Sequence, residues 1–246
     1  MNRLYSNHRQ NVFLGTRALP CPYIDGEIER KVITDLSVPG AGELYDRLSR
    51  AGFRRSHSIA YRPACPSCTA CKPVRIRVKD FNWSKRFRRT ENQNKDLIAL
   101  EMAAHATEEQ FDLFQQYQEG RHSGGEMETM DFREYRAMIE DSPVDSQVIE
   151  FRAKETDTLV GFLLADRQSD ALSAVYSAYD VNNAARSLGT YMVLWLIKQA
   201  CERHKPYVYL GYWVESSRKM AYKADFRPIE VFGSDGWTEL SNSKSI

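Results

Sequence analysis

The chain has 246 residues, enough for one large domain or two modest ones with ample core. Its 42% apolar content and formal net charge of +1 are those of a soluble globular protein. The start "MNRLYSNHRQ" lacks the apolar stretch of a secretory signal, and the longest apolar run, "YMVLWLI" at 191–197, is far short of a bilayer span of roughly 20 residues. The expectation is a soluble, cytoplasmic protein.

Residues 15–89 are short, turn-rich and basic. Cys21 lies between prolines in "LPCPY", and "YRPACPSCTACKPVRIR" at 61–77 sets Cys65, Cys68 and Cys71 at two-residue gaps ahead of a basic strand-like segment. Three thiolates in one tight loop, with Cys21 as a rigidly held fourth, suit tetrahedral zinc or an iron–sulfur cluster, and His57 is a spare zinc ligand. The other reading is thiols that pack or oxidise in a proline-stiffened loop. Five cysteines, an odd number, argue against a disulfide framework, and Cys201 reads as a small core residue.

Between residues 75 and 95 the near-neutral total charge hides a cationic stripe: Arg75, Arg77, Lys79, Lys85, Arg86, Arg88, Arg89 and Lys95 against Asp80 and Glu91. Cations neutralise phosphates and release counterions, which makes "SKRFRR" a candidate nucleic-acid face. Phe81 and Phe87, interleaved with it, are expected in the core.

The second part is easier to divide. "DLIALEMA" reads as a strand. "TEEQFDLFQQYQEGRH" opens with Thr107 and Gln110 at capping-box spacing, and Asp131 caps a second helix over "FREYRAMIED". The segment 147–180 alternates with turn signals at Thr156–Asp157 and Ser169–Asp170, which predicts a three-stranded antiparallel meander. A helix too apolar for the surface follows in "RSLGTYMVLWLIKQACERH". "YVYLGYWV" is a strand and "SSRKMAYKADF" a short helix. Helices, meander, buried helix and crossing strand come in the order of the acetyltransferase-like (GNAT) fold, an α+β architecture.

In that fold the buried helix begins with a loop that holds the pyrophosphate of coenzyme A, with the pattern Arg/Gln-x-x-Gly-x-Gly/Ala. Arg186 and Gly189 fit, but Tyr191 puts a ring where a small residue is needed. The expectation is a different acyl carrier and no coenzyme A.

Together "LPCPY", "HSIAYRPACPSCTACKPVRI", "SKRFRR", "ARSLGTYMVLWLI" and "LGYWVESSRKMAYKADFRP" closely resemble the arginyl-tRNA–protein transferase family, and within it the bacterial aspartate/glutamate leucyltransferase branch. The similarity runs over about 15–237. It implies transfer of an amino acid from charged tRNA, leucyl-tRNA in this branch, to protein N-termini that begin with Asp or Glu, marking them for N-end rule degradation. It also implies a cysteine-bearing N-terminal domain, read as 1–89, and a GNAT-like domain, read as 90–240, while the polar "SNSKSI" at 241–246 reads as a disordered tail. Eukaryotic relatives are associated with an iron–sulfur cluster or zinc at their cysteines, which makes Cys21, Cys65, Cys68 and Cys71 the candidates here, although transfer itself is expected to require no cofactor.

On that reading the candidates divide by task. Tyr179, Tyr212 or Ser216 would supply the proton for the leaving ribose oxygen, and Glu215 would take one from the amine. Arg75, Arg77 and Lys219, with Arg62 behind them, would meet the acceptor's carboxylate. Lys85, Arg86, Arg88 and Arg89 would grip tRNA. The competing readings are arginyl transfer, a non-catalytic RNA-binding GNAT-like protein, and an ordinary protein acetyltransferase.

Overall fold

A computed structural model describes residues 11–241. The expected tail therefore lies, beyond Ser241, outside the described residues. The first part forms β1 (Leu14–Gly15), β2 (Leu19–Pro20), β3 (Ile28–Glu29), β4 (Lys31–Asp35), α1 (Ala41–Arg50), β5 (Arg54–Ser56) and β6 (Ile59–Pro63). Four of these strands make a small sheet in the order β1-β4-β6-β5, while β2 and β3 form a separate ribbon. Leu44, Tyr45 and Leu48 recur on one face of α1 at helical spacing and close a core with Leu36, Phe53 and Ala60.

The rest comprises β7 (Lys72–Arg77), α2 (Lys85–Gln93), β8 (Leu97–Ala103), α3 (Glu108–His122), α4 (Phe132–Glu140), β9 (Ser146–Ala153), β10 (Leu159–Arg167), β11 (Ala171–Tyr179), α5 (Leu188–Glu202), β12 (Tyr207–Trp213), β13 (Ile229–Gly233) and β14 (Gly236–Glu239). Their strands form one sheet in the order β14-β13-β7-β12-β11-β10-β9-β8. β7, which precedes the expected boundary at residue 89, lies between β12 and β13, so both parts of the chain build the same sheet.

Local signals acted as expected. Thr107 and Asp131 each form a reciprocal capping box, with Gln110 and Glu134 respectively, so orphan donors at both helix starts are satisfied. β9, β10 and β11 are the antiparallel meander. α5 covers one face of the sheet through Leu188, Met192, Leu196 and Ile197; α3 and α4 cover the other with Phe114, Tyr135 and Ile139. Cys201, expected in the core, is exposed because Ala200, its neighbour, takes the buried stripe of the helix.

Among the described residues the one parallel pair in the sheet, β11 with β12, is short. It is paired at Ala171–Tyr207, Leu172–Val208 and Ser173–Tyr209. Beyond these residues the strands part, although β11 runs on to Tyr179 and β12 to Trp213. This splay beside a buried helix is the mark of the acetyltransferase-like arrangement, and the chain adopts it.

The small sheet docks beside the splay. Arg55 inserts its guanidinium against Asp166 with Nη2–Oδ1 at 2.8 Å, both side chains fully buried. Tyr212 lies with its hydroxyl 3.0 Å from the carbonyl oxygens of Gly52 and Tyr61. Gln168 donates to Ser49 Oγ at 2.7 Å. These contacts fix the position of the neighbouring residue, Arg54.

Candidate active site

Arg54 enters the splay from the edge of the small sheet. Its Nη2 donates to the Ala174 carbonyl at 2.5 Å, one residue past the last paired residue of β11. Facing it, Gly211 sits at a β-bulge with φ 79°, and a Cβ there would stand 3.0 Å from the guanidinium carbon. Only glycine fits this backbone and this close approach. Lys223, from a short 3₁₀ turn (Ala221–Asp225), reaches the same place. Its Nζ donates at 2.8 Å to the carbonyls of Leu210 and of Tyr212. Burial, reinforced by the nearby Arg54 charge, pushes the Lys223 amine down to about 7.

An aromatic cluster stands further along, at the far end of β11. Tyr117 and Tyr179 have ring centroids 4.8 Å apart, and His122 lies 5.3 Å from Tyr117. Lys219 approaches His122 at 3.5 Å, and burial, Lys219 and Arg121 together lower the imidazole's proton affinity. Burial raises the Tyr117 hydroxyl, so it stays protonated through the physiological range.

Tyr179 also occupies the start of α5. A side chain at Gly189 would meet the Tyr179 ring at 3.0 Å. The glycine thus admits the tyrosine, where an acetyltransferase would admit phosphate. Tyr191 itself turns away and packs edge-on against Phe151 at 5.7 Å. Arg186 is committed to Asn94 at 3.0 Å and to Asp96 at 2.5 Å.

The other expected residues are dispersed. Arg75 is buried, ion-paired with Glu230 at 2.6 Å and held between the rings of Tyr207 and Trp237. Arg77 pairs with Glu239 at 2.7 Å and lies near Asp80. Arg62 donates to the Ala51 carbonyl and stacks on Phe53. Glu215 and Ser216 are exposed in the turn after β12. Burial raises the Tyr212 phenol, which faces carbonyls of the small sheet. Sequence reasoning missed Arg54, Lys223, Tyr117 and His122. A signal existed only for Lys223, which lies in the segment "SSRKMAYKADF".

Lys85, Arg86, Arg88 and Arg89 are all exposed along α2, while Phe87, between them, is 3% exposed. Ser84 caps the helix by accepting from the Phe87 N–H. Two cations, Lys85 and Arg86, stand in its first turn with no acidic residue there, against the helix dipole. Arg86 is compensated by Asp225 at 2.5 Å. The others present their charge to solvent, as an anion-binding face would.

The metal or cluster expected at Cys21, Cys65, Cys68 and Cys71 must be corrected. Among the described residues no group of three or more His, Cys, Asp or Glu is arranged to hold a metal ion. The four side chains do line one cavity together with Arg62 and Lys72, but all are free cysteines. Cys65 Sγ donates to the Arg30 carbonyl at 3.7 Å, and Cys68 Sγ accepts the Ala70 N–H. Burial and the other three sulfurs push the Cys71 thiol up to about 11. His57, the spare ligand, lies 3.1 Å from Ser56 Oγ instead.

Comparison with known proteins converges on one family. The model of the arginine-tRNA-protein transferase N terminus matches residues 19–89, and that of the C terminus matches 109–233. The aspartate/glutamate leucyltransferase of Paramagnetospirillum magneticum is 53% identical over 233 residues, covering 95% of each chain. Those of Gluconacetobacter diazotrophicus and Rhodospirillum rubrum are 51% and 50% identical, covering 97% and 94% of this chain and 92% and 94% of theirs. The chain belongs to the arginine-tRNA-protein transferase family.

Proposed function

We propose that the protein transfers leucine from leucyl-tRNA to the α-amine of proteins beginning with Asp or Glu, marking them for N-end rule degradation. The observation that carries this is the 53% identity, over 95% of both chains, to an aspartate/glutamate leucyltransferase. It is supported by the tyrosine that fills the start of α5 and by the exposed cations of α2. No helix among the described residues is long and apolar enough to cross a membrane. A cytoplasmic place of action, where charged tRNA is found, accords with that.

The chemistry asks for little acid–base power. An α-amine with pKa ~7.7–8.0 is partly neutral at cellular pH. Aminolysis of the ester then needs amine and carbonyl held together, which lowers a barrier by about 7–11 kcal/mol. The splay provides the place, since its two strand edges are free of each other beyond Ser173 and Tyr209. Backbone N–H groups on such an edge can stabilise the oxyanion. In this reading Tyr179, at the end of β11, protonates the departing ribose oxygen, while the exposed cations of α2 hold the tRNA backbone.

The test is direct. Purified protein is incubated with labelled leucyl-tRNA or arginyl-tRNA and peptides beginning with Asp, Glu or Ala. Leucine should appear on the Asp and Glu peptides. Arginine transfer would shift the donor assignment, and transfer of neither amino acid would sink the reading.

A further inference from the structure

The leucyl-transfer reading leaves open which residues recognise the acceptor's acidic side chain, and the interior of the splay answers it. Arg54 is only 8% exposed, yet its Nη1 has no hydrogen-bond partner. The other buried arginines, Arg55 and Arg75, each have a carboxylate within 2.8 Å. Among the described residues, neither Arg54 nor Lys223 has one. Two cations therefore converge on one enclosed spot with only backbone carbonyls as partners. Burying unpaired charge is costly, and a fold keeps such an arrangement where a ligand supplies the missing anion.

We infer that Arg54 and Lys223 clamp the side-chain carboxylate of the acceptor's first residue, and so select Asp and Glu. The inference rests on the transfer reading above. Three features favour this occupant over a tRNA phosphate. The guanidinium group lies at the floor of the splay, with its Nη2 on the Ala174 carbonyl and its Nη2 and Nε edge against Gly211. A carboxylate on a short stem reaches there, whereas a phosphodiester flanked by two nucleosides does not. Cations for phosphates stand elsewhere, on the exposed face of α2.

Nη1 has no contact with solvent, so the carboxylate enters as Lys223 swings from the Leu210 and Tyr212 carbonyls onto it. The lysine stem permits this through its four rotatable bonds. A guanidinium takes the carboxylate through two parallel N–H donors, and the ammonium closes on its other side. The acceptor's α-amine is then one carbon from the Cβ that carries an Asp carboxylate, and is thus held at the point where β11 and β12 part. The low proton affinity of the Lys223 amine fits the empty clamp, since an incoming carboxylate would restore it.

The test uses the full chain, its variants Arg54→Met, Arg54→Lys and Lys223→Met, and two peptides that differ only in a first Asp or Asn. Two quantities are read: the ratio of leucyl transfer to the two peptides, and the thermal shift each produces without tRNA. Wild type should prefer Asp in both. Arg54→Met should lose about 30-fold or more of the transfer preference, together with the differential shift. Lys223→Met should lose part of both, and Arg54→Lys should retain part, which guards against a variant that merely folds badly. An unchanged Asp-over-Asn ratio in Arg54→Met and Lys223→Met overturns the clamp while leaving the transfer activity standing. Equal thermal shifts by both peptides on wild type overturn it whether or not transfer occurs. Absence of transfer with a normal differential shift counts against leucyl transfer alone.

Discussion

Arg54 and Arg55 are adjacent in β5, both buried, and drive their guanidinium groups into the large sheet from the same strand. Alternation along the strand sends one to each side, where they meet opposite electrostatic fates. Arg55 finds Asp166 through two nitrogens at 2.8 Å, with Ser146 Oγ donating to the same carboxylate at 2.6 Å. Arg54 finds one carbonyl and leaves a nitrogen unpaired. A fold that can neutralise one buried guanidinium completely has the means to neutralise its neighbour. The open pair is thus explained by use, and the closed pair by docking of the small sheet.

The largest effect should come from breaking the closed pair. Asp166→Asn removes the charge but keeps the shape, leaving Arg55 uncompensated, and should destabilise by about 3–5 kcal/mol in urea unfolding. A loss under about 1 kcal/mol would mean that Arg55 relaxes toward water and that the seam is less rigid than the contacts imply. Next in size is the anion face of α2. Exchanging Lys85, Arg86, Arg88 and Arg89 for glutamine should weaken tRNA binding and flatten its salt dependence, by a slope of up to about 0.7–0.9 per lost phosphate contact. Asp/Asn discrimination should stay put when Lys85, Arg88 and Arg89 alone are exchanged, because Arg86 is paired with Asp225 in the turn that carries Lys223. Unchanged tRNA affinity would reduce the face to solvated surface.

A smaller effect follows from Lys223. Its proton affinity in the folded chain, near 7, is below the ordinary lysine value of ~10.4, so between those limits the unfolded state binds more protons. Stability should therefore rise with pH across that window as far as this group is concerned. At and below about pH 7 the amine must be charged inside the fold, and its penalty is greatest. Lys223→Met should be most stabilising relative to wild type near pH 6 and lose that advantage toward pH 9. A pH-independent difference would show that Lys223 remains fully protonated in the fold.

The same comparison marks what sequence can reveal. Helix starts at Thr107 and Asp131, the meander and the apolar α5 were legible because each is set by local chemistry or by periodicity within one segment. The cysteine triplet was legible as a motif, but whether its thiols converge on one point is decided by the tertiary fold, and spacing does not encode that. Arg75 and Arg77 looked like free cations beside a cysteine loop. Their partners Glu230 and Glu239 are more than 150 residues away in sequence and arrive only because β13 and β14 complete the sheet beyond β7. Conversely "FRRS" offers two equal arginines, and only the tertiary packing distinguishes a seam from a site. Tyr179 is read from the sequence as a residue of the cleft, but that its ring fills the space beside Gly189 follows only from the fold.

The smallest expected change sharpens the contrast most. Arg54→Met substitutes an unbranched apolar side chain for a guanidinium whose desolvation nothing in the protein repays with opposite charge. The Ala174 carbonyl loses one donor, worth about 0.5–1.5 kcal/mol, while relief of an unpaired buried charge acts in the opposite direction with at least comparable size. The net change in urea unfolding should therefore lie near zero or be slightly stabilising, in a residue as deeply buried as Arg55. Arg55→Met provides the reference: it strands Asp166 and should cost several kcal/mol, about as much as Asp166→Asn. If both arginine variants lose similar stability, Arg54 is a second structural pin between the sheets, with no free energy held in reserve for a ligand. If only Arg55→Met does, the strain of an uncompensated cation is stored in the splay, available to be released when an acidic N-terminus enters.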